Sequence, residues 1–335
     1  MKAIVQERYG SPDVLELRDI DRPPLGDDEV MVSVRASSVH ADVWHAMRGQ
    51  PYVLRIMGSG LRAPKHRVPG TDVAGVVEAV GRNVTRFRAG DEVFGQSLRA
   101  NLWRNGGAFA EYAAVPESML ELKPAGLPFD RAAAVPTSGS LAVQHVRDEG
   151  RLQSGQSVLI NGAGGAVGTF AVQLAKSYGA HVTAVDAAGK LDMLRSIGAD
   201  EVLDYTREDF TRREERYGFI LDIVGNHPWS RCRRVLTPDG TYVLSGYDQY
   251  GRSGHRWFGS LGRFARLMVI APFVRQLHPF RGAKDPGDRL IVLRSLLEAG
   301  DLVPVVDRVF PLSDVPDAIR YLETEQAGGK IVITI

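Results

Sequence analysis

A chain of 335 residues, 44% hydrophobic and 24% charged, is long enough for two cores and too apolar to stay disordered. Its 41 Lys and Arg nearly balance 40 Asp and Glu, and the net charge of +1 excludes the strong basic field of a nucleic-acid binder. Cys232 is the only cysteine, which excludes an internal disulfide and a structural zinc site built on cysteines.

The chain opens on MKAIVQERYG, a strand-like run without the apolar core of a signal peptide. No later stretch reaches the roughly 20 apolar residues of a membrane span. The expectation is a cytoplasmic protein. Up to residue 125 short alternating or apolar runs dominate: Ala3–Val5, Val14–Leu17, Glu29–Val34, Val73–Val80, Asp91–Phe94 and Phe109–Val115. Turn formers at Pro23–Pro24, Gly81, Gly90 and Gly106–Gly107 separate them, which predicts a β-rich, partly antiparallel unit. Beyond Pro124 the pattern changes. Phe129–Val135 and Leu141–Val146 read as helical, and strand and helix then alternate through Val158–Ile160, Lys190–Ile197, Glu201–Leu203, Phe219–Val224 and Thr241–Ser245. That alternation predicts a parallel sheet with helices on both faces. The arginines from Arg231 to Arg234 read as solvated helix surface. Trp257–Leu277 mixes Arg with Phe, Leu, Met and Ile and reads first as a core or cover helix interrupted by Pro272, with an oligomer contact and a membrane-surface helix as alternatives. A helix over Asp288–Ala299, a strand over Val303–Phe310, a helix over Val315–Thr324 and a strand over Lys330–Ile335 complete the chain.

Val158–Asp186 carries the most chemistry. An apolar run ends in a turn crowded by Gly162, Gly164, Gly165 and Gly168, a largely apolar helix follows, and a second strand closes on Asp186. Glycines let the backbone approach a pyrophosphate, and the helix N-terminus offers free N–H groups to it. An acid about 20 residues beyond the first glycines is where a ribose-binding carboxylate is expected. Gly162, Gly165, Ala166, Val167 and Gly168 are the candidate cradle.

Several stretches, PGTDVAGVVEAVG (Pro69–Gly81), GDEVFG (Gly90–Gly95), GGAFAEYA (Gly106–Ala113), the glycine turn itself, LRSIGADEVLDYTREDF (Leu194–Phe210) and the ending GGKIVITI, together resemble the medium-chain dehydrogenase/reductase superfamily. They are closest to its zinc-independent, quinone-oxidoreductase-like branch. The resemblance implies an α/β fold in which a GroES-like, β-rich catalytic domain (1–125 plus 288–335) carries an inserted Rossmann domain, a doubly wound parallel sheet, over 126–287. Nicotinamide and substrate would share the cleft between them. Zinc-dependent relatives place a cysteine early in the catalytic domain and Gly-His-Glu later. Here the segments read Ser38-Val-His-Ala-Asp42 and Gly70-Thr71-Asp72, so the N and S donors that catalytic zinc needs are not supplied.

Without a Lewis acid, hydride delivery to an already electrophilic acceptor is the accessible chemistry. The expected function is NAD(P)H-dependent reduction of a quinone or an α,β-unsaturated carbonyl. The alternatives are an alcohol or aldehyde dehydrogenase, and a dinucleotide-binding sensor or structural protein without turnover. His40 stands where the family usually has an active-site asparagine, and His45 and Tyr52 follow as candidate proton donors. Each has a structural alternative, Tyr52 as an aromatic anchor and the histidines as hydrogen-bonded groups. Asp42 precedes by one position, at Val43, the family's usual acid, and Leu141 replaces a family threonine near the nicotinamide. Asp186 favours NADH, since a carboxylate accepts ribose hydroxyls and repels a 2′-phosphate. Lys190 and Tyr205 match family positions that hold that phosphate and favour NADPH, with solvated helix-surface charge the equal alternative for Lys190, and the family's third, basic phosphate contact is missing around Glu325 and Gln326. Val224, Gly225, Leu244 and Ser245 are expected beside the cofactor, and Asp222 as a buried structural acid. The cover over 247–286 and the segment Pro51–His66 are expected to shape the pocket for a small electrophilic acceptor. A homodimer is expected, pairing edge to edge through Thr241–Ser245.

Overall fold

The computed structural model describes every residue except 54, 99–104, 247–255, 260 and 278–285. Strand β1 (Lys2–Gln6) pairs antiparallel with β2 (Leu15–Asp19). The axis of the larger sheet is β3 (Glu29–Val39), whose Val30, Val32 and Val34 are buried. One side of β3 pairs with β4 (Asp72–Val80), which continues to β5 (Glu92–Gln96). Its other side is shared: Glu29–Ser33 pairs with β6 (Tyr112–Pro116), and Ala36–Val39 pairs with a strand from the far end of the chain. β7 (Leu120–Leu122) closes the β5 edge. Directly after β3 the chain turns into α1 (Ala41–Arg48), which ends at Gly49 in the left-handed region, φ 58°. Trp44 and Arg48 of α1 both bind the Glu323 carboxylate.

Two short helices, α2 (Phe129–Ala133) and α3 (Pro136–Val143), are separated where Pro136 starts a new first turn. α2 lies on the larger sheet and α3 runs against the next unit. There the strands β8 (Ser157–Asn161), β9 (His181–Asp186), β10 (Glu201–Asp204), β11 (Tyr217–Asp222) and β12 (Leu236–Leu244) are all parallel. Their spatial order is β10-β9-β8-β11-β12. The order reverses between β8 and β11, and such a switch point opens a crevice at the strands' C-terminal ends. α4 (Ala166–Ser177) and α5 (Leu191–Ser196) are the crossovers beside β8 and β9, and α6 (Trp229–Cys232) precedes β12.

α7 (Leu261–Ile270) covers this sheet with Leu267 and Ile270, while Met268 and Val269 are 52% and 70% exposed and the following Phe273 is 87% exposed. The expectation of a cover helix holds for one face of α7 only. The edge of β12 also departs from expectation. The Tyr242 N–H donates to the Gln276 carbonyl at 2.9 Å and Leu277 bridges Tyr242, so Thr241–Ser245 is not a wholly open edge. α8 (Pro286–Ala299) packs on α3, with Leu293 filling the space left by Gly139. β13 (Val306–Pro311) begins three residues after the expected start, α9 (Val315–Glu323) follows, and β14 (Lys330–Thr334) inserts antiparallel to β3 with Ile331 opposite Val39. Among the described residues no helix is long and apolar enough to cross a membrane.

Candidate active site

A cavity of about 480 Å³ lies between the two large sheets. Its two walls meet where Gly165 of the glycine turn bridges Gly329, the residue before β14. Gly162 has φ +88°, and a Cβ there would come within 2.7 Å of the Val224 side chain, so both its conformation and its neighbour demand glycine. Gly165 is the N-cap of α4, and Gly162, Gly165, Ala166 and Val167 all line the cavity. Gly168 does not. A Cβ there would sit 2.3 Å from the Gly162 carbonyl, so Gly168 serves the close packing of α4 under the turn.

Asp186 ends β9 at the cavity wall. Its Oδ2 accepts the Gly164 N–H at 2.7 Å and its Oδ1 accepts the Ala187 N–H at 2.8 Å. Lys190 lies 3.5 Å from Asp186 Oδ1 and donates to the Glu325 carbonyl at 3.5 Å. It is therefore held inside the site and is not solvated helix surface. Tyr205 is 56% exposed and also lines the cavity. On the β11 side, Val224 lines the cavity, whereas Gly225, Leu244 and Ser245 do not. Asp222 is fully buried and accepts bonds from Asn161, Gly225 N–H and the Tyr242 hydroxyl. It organises the strand ends. Asn161, which sequence reasoning passed over, lines the cavity as well, and its signal was a polar residue closing an apolar strand just before the first glycine.

On the opposite wall, His40 is buried as the N-cap of α1 and lines the cavity beside Asp42 and Leu141. Its Nε2 lies 2.6 Å from Thr71 Oγ1 and its Nδ1 3.7 Å from Asp42 Oδ2. Burial lowers its pKa, with Asp72 and Asp42 pulling the other way, so the imidazole is neutral near pH 7. His45 and Tyr52 are placed elsewhere. His45 is buried on α1, bonded through Nδ1 to the Gln50 carbonyl at 2.7 Å and set edge-on to Trp44. Tyr52 donates its N–H to the Arg256 carbonyl and packs edge-on to Trp257, an aromatic anchor. Neither lines the cavity, and among the described residues the lining takes nothing from Pro51–His66 or from 256–277. The rest of the expected cover, 247–255 and 278–285, lies outside the described residues.

Behind His40 lies a network of residues that sequence reasoning left unassigned. Asp72 and Lys330 are both fully buried and 3.3 Å apart. Asp72 Oδ2 accepts from Ser38 Oγ at 2.5 Å, and Oδ1 accepts from the Thr137 N–H at 2.9 Å and Thr137 Oγ1 at 2.5 Å. Burial pushes the Asp72 carboxyl up, but the Lys330 charge, His40 and the Ser38 and Thr137 donors outweigh it and hold it below the usual carboxylate range. These positions also bear on zinc. The segment Ser38–Asp42 holds no cysteine, its Ser38 is bound to Asp72, and Thr71, which stands where an imidazole ligand would be needed, is bound to His40. Among the described residues no group of three or more His, Cys, Asp or Glu is placed to hold a metal ion. The donor set does not fit a catalytic zinc.

A glycine turn at the switch point of a parallel sheet, facing a polar pocket on a mostly antiparallel one, defines a two-domain, dinucleotide-dependent oxidoreductase. Family comparison gives the same class. Residues 26–125 match the alcohol dehydrogenase GroES-like domain, and residues 197–333 match the domain described as zinc-binding dehydrogenase. The chain is 34% identical to the 2-methylene-furan-3-one reductase of Solanum lycopersicum, covering 99% of this chain and 79% of that one. It is 35% identical to the chloroplastic NADPH-dependent alkenal/one oxidoreductase of Arabidopsis thaliana, with the same coverage. The quinone oxidoreductase of Coxiella burnetii superposes with a TM-score of 0.85 at 25% identity over 100% of this chain and 99% of that one. The chain belongs to the medium-chain dehydrogenase/reductase superfamily, in its quinone-oxidoreductase-like branch.

Proposed function

We propose that the chain reduces the electrophilic double bond of a quinone or an α,β-unsaturated carbonyl, with NAD(P)H held across the glycine turn. The observation that carries this is the cleft itself: a glycine turn and helix start on one wall, and on the other a neutral His40 whose Nε2 is held by the buried Thr71 behind it. The names of the relatives, alkenal/one oxidoreductase, furanone reductase and quinone oxidoreductase, fit the same chemistry. The bound nicotinamide supplies the hydride. Gly162, Gly165, Ala166 and Val167 cradle the pyrophosphate, Val224 bounds the cofactor on the β11 side, and Leu141 leaves an apolar wall beside the ring. His40, held from behind by Thr71, faces the acceptor, and water or His40 returns the proton.

For the cofactor, NADH is the preferred reading. Each Asp186 oxygen holds one N–H and keeps lone pairs for ribose hydroxyls. The Lys190 contact to Asp186 makes NADPH the second reading, because a 2′-phosphate could replace the carboxylate as the partner of Lys190, beside Tyr205. A homodimer fits the exposed Met268, Val269 and Phe273 close to the β12 edge, and the lone buried Cys232 suits a reducing compartment such as the cytoplasm.

The test is a matrix of NADH and NADPH against quinones, enones, aldehydes and alcohols, followed by loss of reduced-nicotinamide absorbance. Turnover with quinones or enones, unaffected by chelators, is expected. Tight cofactor binding without any acceptor-dependent oxidation would leave a non-catalytic binding protein. Stoichiometric zinc with chelator-sensitive alcohol oxidation would overturn the proposal.

A further inference from the structure

The Asp72–Lys330 pair has no solvent exposure on either side chain. A buried ion pair is weak evidence for stability, since apolar residues of equal volume often do as well. Lys330 stands between Gly329 and Ile331, both of which line the cavity. Its ammonium has three donors and no acceptor. One donor goes to Asp72 Oδ2 at 3.3 Å and another to Ser138 Oγ at 3.2 Å. Ser138 is therefore the acceptor, and its own hydroxyl hydrogen takes no part in that bond. Among the described residues its side chain makes no other hydrogen bond, and Ser138 lines the cavity. Asp72 is itself fixed by Ser38 from β3 and by Thr137, the neighbour of Ser138.

We propose that Lys330 is a positioning residue that, braced by Asp72, grips the Ser138 oxygen and leaves the Ser138 hydroxyl hydrogen free to point into the cleft as a donor to the acceptor's carbonyl oxygen. This rests on the reading of the chain as a quinone or enone reductase. When hydride adds to the β-carbon of an enone, the C=C electron pair moves toward the carbonyl, whose oxygen becomes an enolate. Water then protonates the α-carbon. A quinone oxygen gains charge in the same way and is protonated to the quinol. A fixed donor backed by a buried cation binds that oxygen more tightly as charge develops than in the ground state, so it raises kcat more than it lowers KM.

The experiment compares steady-state kinetics of Ser138→Ala, Lys330→Met, Lys330→Arg, the double Ser138→Ala/Lys330→Met and the neutral pair Asp72→Asn/Lys330→Met. Ser138→Ala is expected to lower kcat about 10- to 100-fold, short of the loss of a full backbone oxyanion donor, with the cofactor KM little changed. Lys330→Met should lower kcat similarly, the double variant should lose little more than either single one, and Lys330→Arg should recover part of the rate. Should Lys330→Met misfold around an unpaired Asp72, the neutral pair keeps the cleft intact and is expected to show the same low kcat. Full kcat in Ser138→Ala, or losses that multiply in the double variant, would overturn the proposal. Wild-type protein inactive on every acceptor would instead overturn the functional reading beneath it, so the two failures are distinguishable.

Discussion

Asp186 accepts two backbone N–H groups and faces Lys190, so it braces the glycine turn, and in the proposed binding mode it sets the charge at the ribose end of the cleft. Asp186→Ser removes the charge that repels a 2′-phosphate and frees Lys190. The ratio of kcat/KM for NADPH over NADH is expected to rise at least about tenfold, the effect of one pKa-sized interaction. An unchanged ratio would mean that Asp186 serves the turn alone. A second prediction concerns pH. Burial lowers the pKa of His40 and His45 relative to an unfolded histidine, so below about pH 6.5 the unfolded chain binds protons that the folded chain refuses. Stability is full above that pH and falls as pH drops through it. Thermal unfolding from pH 7.5 to 5.5 is expected to show a falling midpoint, and His40→Asn a shallower fall. At this scale the sequence was legible where neighbours in the chain are neighbours in space, as with Gly162 and Asp186. It was opaque for Asp72 and Lys330, which lie 258 positions apart and meet only because β14 enters beside β3.

The glycine turn and α4 act as one element. Gly162 gives the turn its positive φ, and Gly168 lets the helix sit against the Gly162 and Ala163 carbonyls. Gly168→Ala would drive a methyl group into backbone that cannot yield, and a loss of about 1–3 kcal/mol of stability is expected, measured by denaturant unfolding, together with weaker dinucleotide binding by nucleotide fluorescence. Wild-type stability would show that α4 shifts freely. The period of the apolar residues carried the parallel strands into view, because both of their faces are covered. It did not reveal that β3 divides one side between β6 and β14, nor that α7 buries only one face, since both facts depend on partners distant in sequence.

For the molecule as a whole, the order β10-β9-β8-β11-β12 places the switch point under the cleft, and the Gly165–Gly329 contact joins the two sheets. In the proposed division into 1–125 plus 288–335 and 126–287, α2 belongs by sequence to the second unit but packs on the larger sheet. The proposed dimer gives the fourth prediction. Wild-type protein is expected to sediment as a dimer, and Phe273→Glu, which puts a charge at the most exposed large apolar side chain among the described residues, to shift it toward monomer. Sedimentation of both as monomers would refute the dimer.

The place of β14 has a consequence for how the protein is made. On the ribosome, Val39 emerges long before Ile331, its partner in the sheet, and the whole parallel sheet is synthesised in between. Until β14 arrives, the second half of β3 presents bare backbone, and the cleft lacks Gly329, Ile331 and the buried Lys330 between them. A nascent chain can thus fold its parallel sheet early, while the cleft closes only once β14 has been translated.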